Sequence, residues 1–483
     1  MEKSLTINNL TVSFETPGGK LTAVKDVSLH LAGGETLALV GESGCGKTVL
    51  CKSMLKILCS RGRIEKGKIL LDGEDLTAAS EREMQSYRGG SIAMVFQDPM
   101  LSLDPAFSVG EQIAEVLKVH GGLSAKAAKA RAVELMDMVR IPDAQKRYSQ
   151  RPYQFSGGMR QRVAIAAALA GEPDILLADE PTTALDEKTR WEIVRLLKDI
   201  QEKTGVAVLF ITHDLSLVED IADRVAIMQD GRIVEEGNVA KVFSAPEHPY
   251  TRKLLGYLDY KKGRGHNHRS AASDEPVLSV RKLCKSFRLG RKEKNDVLKD
   301  FSMDIYRGEI VGLVGSSGCG KSTLARCIAG IDRPDSGVVE FAGGIRMQMI
   351  FQDSQSAFND RFTVKKIIEE PLRTGAGRIT DAGRRDEAVR NVMRAVELDE
   401  SLADRKPYEL SGGQRQRAAV ARALITDPDF IIADEPLTGL DVSAQAQIVH
   451  LLKRLAQERG LTILFIAHDL PMVNHISSRI IEM

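Results

Sequence analysis

No pair among the six cysteines, Cys45, Cys51, Cys59, Cys284, Cys319 and Cys327, has CxxC spacing, so neither a zinc ribbon nor an iron–sulfur array is suggested. Free, mostly buried thiols in a reducing compartment are the expectation. No run approaches the roughly 18 uncharged apolar residues that a membrane span requires. The opening Met1-Glu2-Lys3-Ser4-Leu5-Thr6 lacks the apolar core of a signal peptide. Work at a membrane would therefore go through a partner. An excess of either charge is missing as well: Lys and Arg number 67 against 66 for Asp and Glu. Bulk attraction to nucleic acid or anionic lipid thus has no electrostatic source. What is present is an ordinary globular composition, 43% apolar and 28% charged over 483 residues, a length that suits two or three domains.

The chain repeats itself. Gln97, Ser156, Asp179, Glu180, Asp186 and His213 recur as Gln352, Ser411, Asp434, Glu435, Asp441 and His468, each pair 255 positions apart. One offset held over that many landmarks means two homologous domains. Upstream the register changes: Lys47 and Lys321 are 274 apart, so the second copy is 19 residues shorter between its Gly-rich loop and its glutamine. The first copy carries Gly67-Lys68-Ile69-Leu70-Leu71-Asp72-Gly73 there, read as a hairpin arm followed by a helical stretch, and the second keeps a trimmed version. Between the copies, Lys261 to Pro276 is rich in Gly, Ser, charge and His without apolar periodicity, and reads as a flexible linker. Its His266 and His268 are read as solvated rather than as metal ligands. The expected domains are therefore 1–260, a linker 261–276, and 277–483. Apolar runs such as Ile175-Leu176-Leu177-Ala178 and Val206-Ala207-Val208-Leu209-Phe210 alternate with helical stretches. That alternation predicts an α/β fold with a mainly parallel sheet covered by helices. Between Gln97 and Ser156 the pattern turns helical, as in Val133 to Val139, which predicts an inserted helical subdomain.

Two segments fit GxxxxGK[ST]: Gly41-Glu42-Ser43-Gly44-Cys45-Gly46-Lys47-Thr48 and Gly315-Ser316-Ser317-Gly318-Cys319-Gly320-Lys321-Ser322. Each follows a strand-like run and opens a helical pattern, the context the motif requires. The glycines let backbone N–H groups point at phosphate oxygens beside a helix N-terminus. Lys47 and Lys321 place a cation on the β/γ phosphates, and Thr48 and Ser322 offer a hydroxyl to Mg²⁺. Downstream, two apolar strands end in paired acids, Asp179-Glu180 and Asp434-Glu435. The first acid of each pair can hold Mg²⁺ through water; Glu180 and Glu435 can accept a proton from an attacking water. Apolar-then-acidic is common at strand ends, and the preceding phosphate loop is what gives it weight.

At this point the chain resembles the ATP-binding-cassette family of P-loop NTPases over nearly its whole length. The distinguishing motif is Leu410-Ser411-Gly412-Gly413-Gln414, with Phe155-Ser156-Gly157-Gly158-Met159 as its counterpart. The resemblance implies two cassettes forming an internal pseudo-dimer, each with a mainly parallel core, an antiparallel β arm and an inserted helical subdomain. It implies ATP with Mg²⁺, and ATP hydrolysis at two sites. One nucleotide would lie between Lys47 and Ser411 and a second between Lys321 and Ser156. Met159 departs from the usual glutamine, a departure expected to be tolerated because the serine and two glycines contact phosphate. His213 and His468 match the switch histidine, and Gln97 and Gln352 the glutamine that senses Mg²⁺ and γ-phosphate. Asp186 and Asp441 match the aspartate of the D-loop. Phe14 and Phe287 stand where the family stacks an aromatic on adenine, although either also fits a strand core.

The engine does not name its load. Gln97-Asp98-Pro99-Met100-Leu101-Ser102-Leu103-Asp104-Pro105, the Phe155–Arg162 segment and Pro246-Glu247-His248-Pro249-Tyr250-Thr251-Arg252-Lys253-Leu254-Leu255 look like those of peptide/nickel importers. That likeness implies two transmembrane permease subunits, an extracytoplasmic solute-binding protein, and a peripheral place on the cytoplasmic face of the inner membrane. Di- or oligopeptides, glutathione and chelated nickel are the candidate solutes. The alternative is a twin-cassette ATPase acting on ribosomes or nucleic acid. A short linker and a net charge of +1 speak against it, and no nucleic acid is expected. The second copy ends at Arg479-Ile480-Ile481-Glu482-Met483, the equivalent of Met228. Its sheet edge is expected to be uncovered, and this half to be the less stable.

Overall fold

The computed structural model describes residues 3–16, 19–183, 185–262, 275–288, 294–316, 318–352, 357–374, 378–467 and 470–483. The chain divides into two compact units, Met1–Leu258 and Asp259–Met483. The strands of the first are β1 (Leu5–Thr16), β2 (Gly19–Leu31), β3 (Thr36–Val40), β4 (Gly62–Leu71), β5 (Glu74–Asp75), β6 (Ile92–Val95), β7 (Ile175–Asp179), β8 (Ala207–Thr212), β9 (Arg224–Gln229) and β10 (Arg232–Asn238). Its main sheet has the order β10-β9-β3-β8-β7-β6. All neighbours run parallel except β10, which returns antiparallel along β9. Every residue of β3, β7 and β8 is buried, which is why these runs read as continuously apolar rather than alternating. β1, β2, β4 and β5 form a separate antiparallel arm.

Helices between β6 and β7 are delimited by their sequence. Ser108 opens Val109–Gly121 with a reciprocal cap from Glu111, and Gly122 closes it at φ 61°, where only glycine turns without strain. Ser124 caps Ala125–Met138. Their apolar faces, Val109, Ile113 and Leu117 with Ala128, Leu135 and Met136, pack against Val163 and Ile165 of the helix Gly157–Leu169. The predicted helical insertion is present. Beyond β10, Tyr250 and Leu254 of the helix Pro249–Lys262 are buried against Val40, Val225 and Ile227. That helix includes Lys261 and Lys262, which the sequence had suggested as linker; 263–274 lie outside the described residues.

The second unit repeats the plan with β11 (Pro276–Arg288), β12 (Lys294–Tyr306), β13 (Ile310–Val314), β14 (Ser336–Phe341), β15 (Met347–Ile350), β16 (Phe430–Asp434), β17 (Thr462–Ile466) and β18 (Arg479–Glu482). Its five-stranded sheet, β15-β16-β17-β13-β18, is parallel throughout, and β12-β11-β14 form the arm. The 19-residue difference has a location. In the first unit β5 and the helix Glu81–Tyr87 intervene between β4 and β6, whereas β14 passes directly to β15. The repeat also extends to backbone conformation. Left-handed residues recur in register: Asp26 and Asp300, Glu172 and Asp427, Glu180 and Glu435. All six cysteines are free, with Cys45, Cys51 and Cys327 buried, Cys284 and Cys319 half-buried, and Cys59 exposed.

One position breaks the repeat inside the core. Ala38 of β3 has Gly312 of β13 as its counterpart, and a Cβ there would meet Val473 Cγ1 at 2.2 Å and Ser477 Oγ at 2.6 Å. The helix Leu470–Ile476 therefore packs against bare backbone. Gly312→Ala is expected to destabilise the second unit by about 1–3 kcal/mol through overpacking. Calorimetry would show its transition lowered by roughly 2–12 °C with the first unit's unmoved.

Candidate active site

At the end of β3 the chain turns through Gly44 (φ 83°) and Gly46 (φ 109°) into the helix Lys47–Met54. Gly41 is needed for proximity instead: its Cβ would stand 2.2 Å from the Met228 carbonyl oxygen at the end of β9. Lys47 is only 4% exposed, and its ammonium donates to the carbonyls of Gly41 at 2.8 Å and Glu42 at 2.9 Å. The second loop matches it, with Gly318 at φ 81° and Gly320 at φ 107°. Lys321 donates to Gly315 and Ser316 at 2.9 and 3.0 Å. A buried cation held by neutral carbonyls is placed but not neutralised, so the loop favours an anion. Cys45 lies 3.7 Å from the Lys47 ammonium and Cys319 lies 3.9 Å from that of Lys321; burial pushes the Cys45 thiol up. Ser43 is exposed and Glu42 half-buried beside them. Ser317 lies outside the described residues.

β7 delivers the acids to the same place. Thr48 Oγ1 donates to Asp179 Oδ1 at 3.0 Å, and Ser322 Oγ to Asp434 Oδ1 at 3.1 Å. Glu180 and Glu435 adopt left-handed backbone, φ 46° and 44°, a conformation that costs a non-glycine residue of order 1–3 kcal/mol and concentrates at functional sites. Each is held by its own N–H, which donates to Ile211 O at 3.0 Å and to Ile466 O at 2.9 Å. Glu180 Oε2 accepts from Gln97 Nε2 at 3.2 Å and Thr183 Oγ1 at 2.9 Å, and lies 3.2 Å from His213 Nδ1. In the second unit Gln352 and Thr438 donate to Glu435 Oε2 at 2.9 and 3.2 Å. His468 lies outside the described residues.

The two acids of a pair differ in proton affinity. Burial raises Asp179, with the Glu180 charge adding to it and the Thr48 bond opposing. Burial also lifts Asp434, to about 6, again helped by its glutamate neighbour and opposed by the Ser322 bond. For Glu180 burial pulls upward too, but the His213 bond and charge and the Lys47 charge outweigh it, leaving it below the usual range. Glu180 is therefore the carboxylate more readily ionised at neutral pH.

The signature segments open helices. Ser156 caps Gly157–Leu169 by accepting from Met159 N at 3.4 Å. Ser411 caps Gly412–Leu424, accepting from Gln414 N at 3.3 Å while the Gln414 side chain accepts from Ser411 N at 3.0 Å. Met159 cannot return that bond and packs against the helical cluster instead. A Cβ at Gly158 would meet Thr189 Cγ2 at 2.3 Å, while Gly413 has ordinary room. Asp186 and Asp441 cap the helices Glu187–Thr204 and Val442–Arg459. Phe14 is half-buried and leaves no room for a Cβ on Gly62, which would meet its ring at 2.7 Å. Phe287 is 41% exposed with Lys285 over its ring at 5.3 Å. The two aromatics thus occupy unlike surroundings.

Sequence reasoning missed Thr183 and Thr438, which only the left-handed turn brings onto the glutamates. It also missed the ion pair of Arg190 with the nearly buried Asp214, at 2.9 Å. The adjacency of Asp214 to His213 was visible, but its partner stands 24 residues upstream on another element.

The family model described as ABC transporter matches residues 24–183 and 298–438. The chain is 40% identical to the glutathione import ATP-binding protein GsiA of Salmonella paratyphi A, covering 99% of this chain and 84% of that protein. It is 41% identical to the uncharacterized ABC transporter ATP-binding protein YejF of Escherichia coli K12, covering 99% and 93%. Among solved structures, the RNase-L inhibitor superposes with a TM-score of 0.63 at 21% identity, over 95% of this chain and 85% of that one, a likeness of fold alone.

Arg190→Met keeps the apolar stem and removes the charge that Asp214 faces. Charge-assisted bonds contribute about 1.5–3 kcal/mol, so the first unit's melting transition is expected to fall by roughly 3–12 °C. ATP turnover, measured as phosphate release, should fall with it because His213 adjoins the loosened turn.

Proposed function

Because this chain belongs to the ABC transporter family, we propose that it is the ATP-hydrolysing subunit of a solute importer. ATPase activity comes with the family. The importer role rests on one observation: 40% identity to a glutathione import ATP-binding protein over 99% of the chain. Glutathione or a short peptide is the solute class this favours, with chelated nickel the other member of the expected group. No helix among the described residues is long and apolar enough to cross a bilayer, so translocation belongs to partners, two permease subunits supplied by a solute-binding protein. The chain would then sit on the cytoplasmic face of the membrane. The likeness to the RNase-L inhibitor is of fold alone and lends the ribosome or nucleic-acid alternative no support.

In this reading the N–H groups of each phosphate loop and Lys47 or Lys321 bind the polyphosphate, and Phe14 and Phe287 receive the adenine. The signature residues Ser156, Gly157, Gly158, Ser411, Gly412, Gly413 and Gln414 bind γ-phosphate. Mg²⁺ fits the donors available. A hydroxyl and a carboxylate oxygen 3.0 Å apart, Thr48 and Asp179, are hard ligands of the kind that share this ion with phosphates, as are Ser322 and Asp434. Burial, aided by the neighbouring glutamate's charge, pushes both aspartates up, and a bound cation would favour their ionised form. When bound, the ion polarises phosphate oxygens. Gln97 and Gln352 orient water or ion, Glu180 and Glu435 take the proton of the attacking water, and His213 and His468 contact γ-phosphate.

Glu180→Gln and Glu435→Gln should each cut phosphate release at least about twofold, and together by about a hundredfold or more. A single change that leaves turnover intact removes that glutamate from the proposal. The pairing of loop with opposite signature gives a second measurement. Lys47→Ala with Ser411→Ala should spare about half the activity, whereas Lys47→Ala with Ser156→Ala should abolish it, a contrast that independent sites would not produce. Turnover raised by a co-purified permease pair in lipid, and unchanged by ribosomes or DNA, would support the importer over its alternative.

A further inference from the structure

The helix Pro249–Lys262 follows the last strand of the first unit's sheet, and the catalytic reading gives it no part. Its entrance is fixed by hydrogen bonds. The carboxylate of Glu235, on β10, accepts from the backbone N–H of Glu247 at 2.8 Å and of His248 at 2.9 Å. Burial raises this carboxyl, but the backbone bonds from Glu247 and His248 help hold it below its usual range. The ring nitrogen Nδ1 of His248 accepts from Tyr250 N at 3.2 Å. The turn so built aims Tyr250 inward, where it is 7% exposed and packed in the cluster with Val40, the residue before the phosphate loop.

Its hydroxyl accepts from the backbone N–H of Glu42 at 3.2 Å. That N–H belongs to the peptide unit joining Gly41 to Glu42, whose carbonyl, Gly41 O, receives the Lys47 ammonium at 2.8 Å. One peptide plane is thus gripped at both ends, by a tyrosine on its N–H and by the phosphate-loop lysine on its C=O. A peptide group that donates and accepts at once is polarised, and each bond strengthens the other. Rotation of this plane would carry away the carbonyl against which Lys47 is set.

We infer that the Tyr250 hydroxyl is a positioning group for the first phosphate loop, holding the Gly41–Glu42 peptide in the orientation that presents Lys47 to a nucleotide. It does not touch the nucleotide; it acts through the loop. The inference rests on the reading of that loop as an ATP site, and the experiment separates the two. In the full chain carrying Lys321→Ala, nucleotide binding is confined to the first loop. Affinity for Mg-ATP is then measured by calorimetry for this background, with Tyr250→Phe added, and with Lys47→Ala added.

Tyr250→Phe keeps the ring and its packing and removes one oxygen. The expected result is binding weakened about three- to tenfold, the scale of one neutral hydrogen bond, with the melting temperature of the nucleotide-free protein lowered by no more than about 6 °C. In the otherwise unaltered chain the same substitution should raise KM for ATP more than it lowers kcat. A merely structural tyrosine would give the same small fall in melting temperature and leave affinity alone. If Lys47→Ala abolishes binding while Tyr250→Phe leaves it within twofold, the positioning role is overturned and the ATP site stands. If Lys47→Ala leaves binding intact, both fall.

Discussion

Everything at the candidate site answers to one electrostatic constraint: two adjacent carboxylates carried by a buried strand end. Asp179 is 2% exposed and Glu180 8%, so neither has the water that ordinarily stabilises its charge. The chain responds by bringing donors from distant segments. A loop hydroxyl meets one acid; a glutamine, a threonine and a histidine meet the other. Where donors do not suffice the proton compensates, as the raised Asp434 shows. With buried acids at the strand end and a buried cation at the loop, the site is predisposed to bind a metal–polyphosphate, which adds a cation beside the aspartate while its anionic part meets Lys47.

The two units agree at the acids, although Glu435 is half-buried where Glu180 is buried, and diverge elsewhere. Glu180 and Glu435 share a left-handed backbone, their φ within two degrees, and each carboxylate meets the corresponding glutamine and threonine of its own unit. Away from the acids, several packing solutions serve. Met159 buries apolar surface where Gln414 closes a helix cap. Arg190 faces Asp214 where its counterpart Gln445 bonds the carbonyls of Leu437 and Leu440. Ala38 becomes Gly312 and a helix moves closer. The second unit lacks both the short arm strand and the helix that follows it, neither of which belongs to the parallel sheet that carries the acids.

These differences mark what was legible in the sequence. The repeat, the phosphate loops, the acid pairs and the helical insertion are local patterns whose meaning survives without coordinates, and the 19-residue shortening could be assigned to its segment beforehand. Contacts across long separations could not. Tyr250 and Glu42 are 208 positions apart, and nothing in Pro246–Leu255 signals a phosphate loop. Thr183 reaches Glu180 only because the chain turns left-handed between strand and loop, a conformation that glutamate does not advertise. The linker boundary was misjudged because Gly-, Ser- and charge-rich composition masks the tail of a helix that extends to Lys262. Phe14 and Phe287 show the reverse limit: equivalent in sequence register, they differ in burial, so an alignment alone overstates their equivalence.

One carboxylate oxygen, Glu180 Oε2, lies within 3.2 Å of Gln97, Thr183 and His213. Three side chains from different segments thus converge on one oxygen, and the His213 bond and charge are the largest of the effects that offset burial there. Gln97 leads into the helix Pro99–Ser102, which packs against the signature helix Gly157–Leu169. His213 precedes the turn that Arg190 anchors. A γ-phosphate that attracts either side chain would therefore relieve crowding at the glutamate as it forms its own bond. When either Gln97 or His213 moves, the other neighbours remain on the same oxygen, so the glutamate keeps a partner while the loop responds.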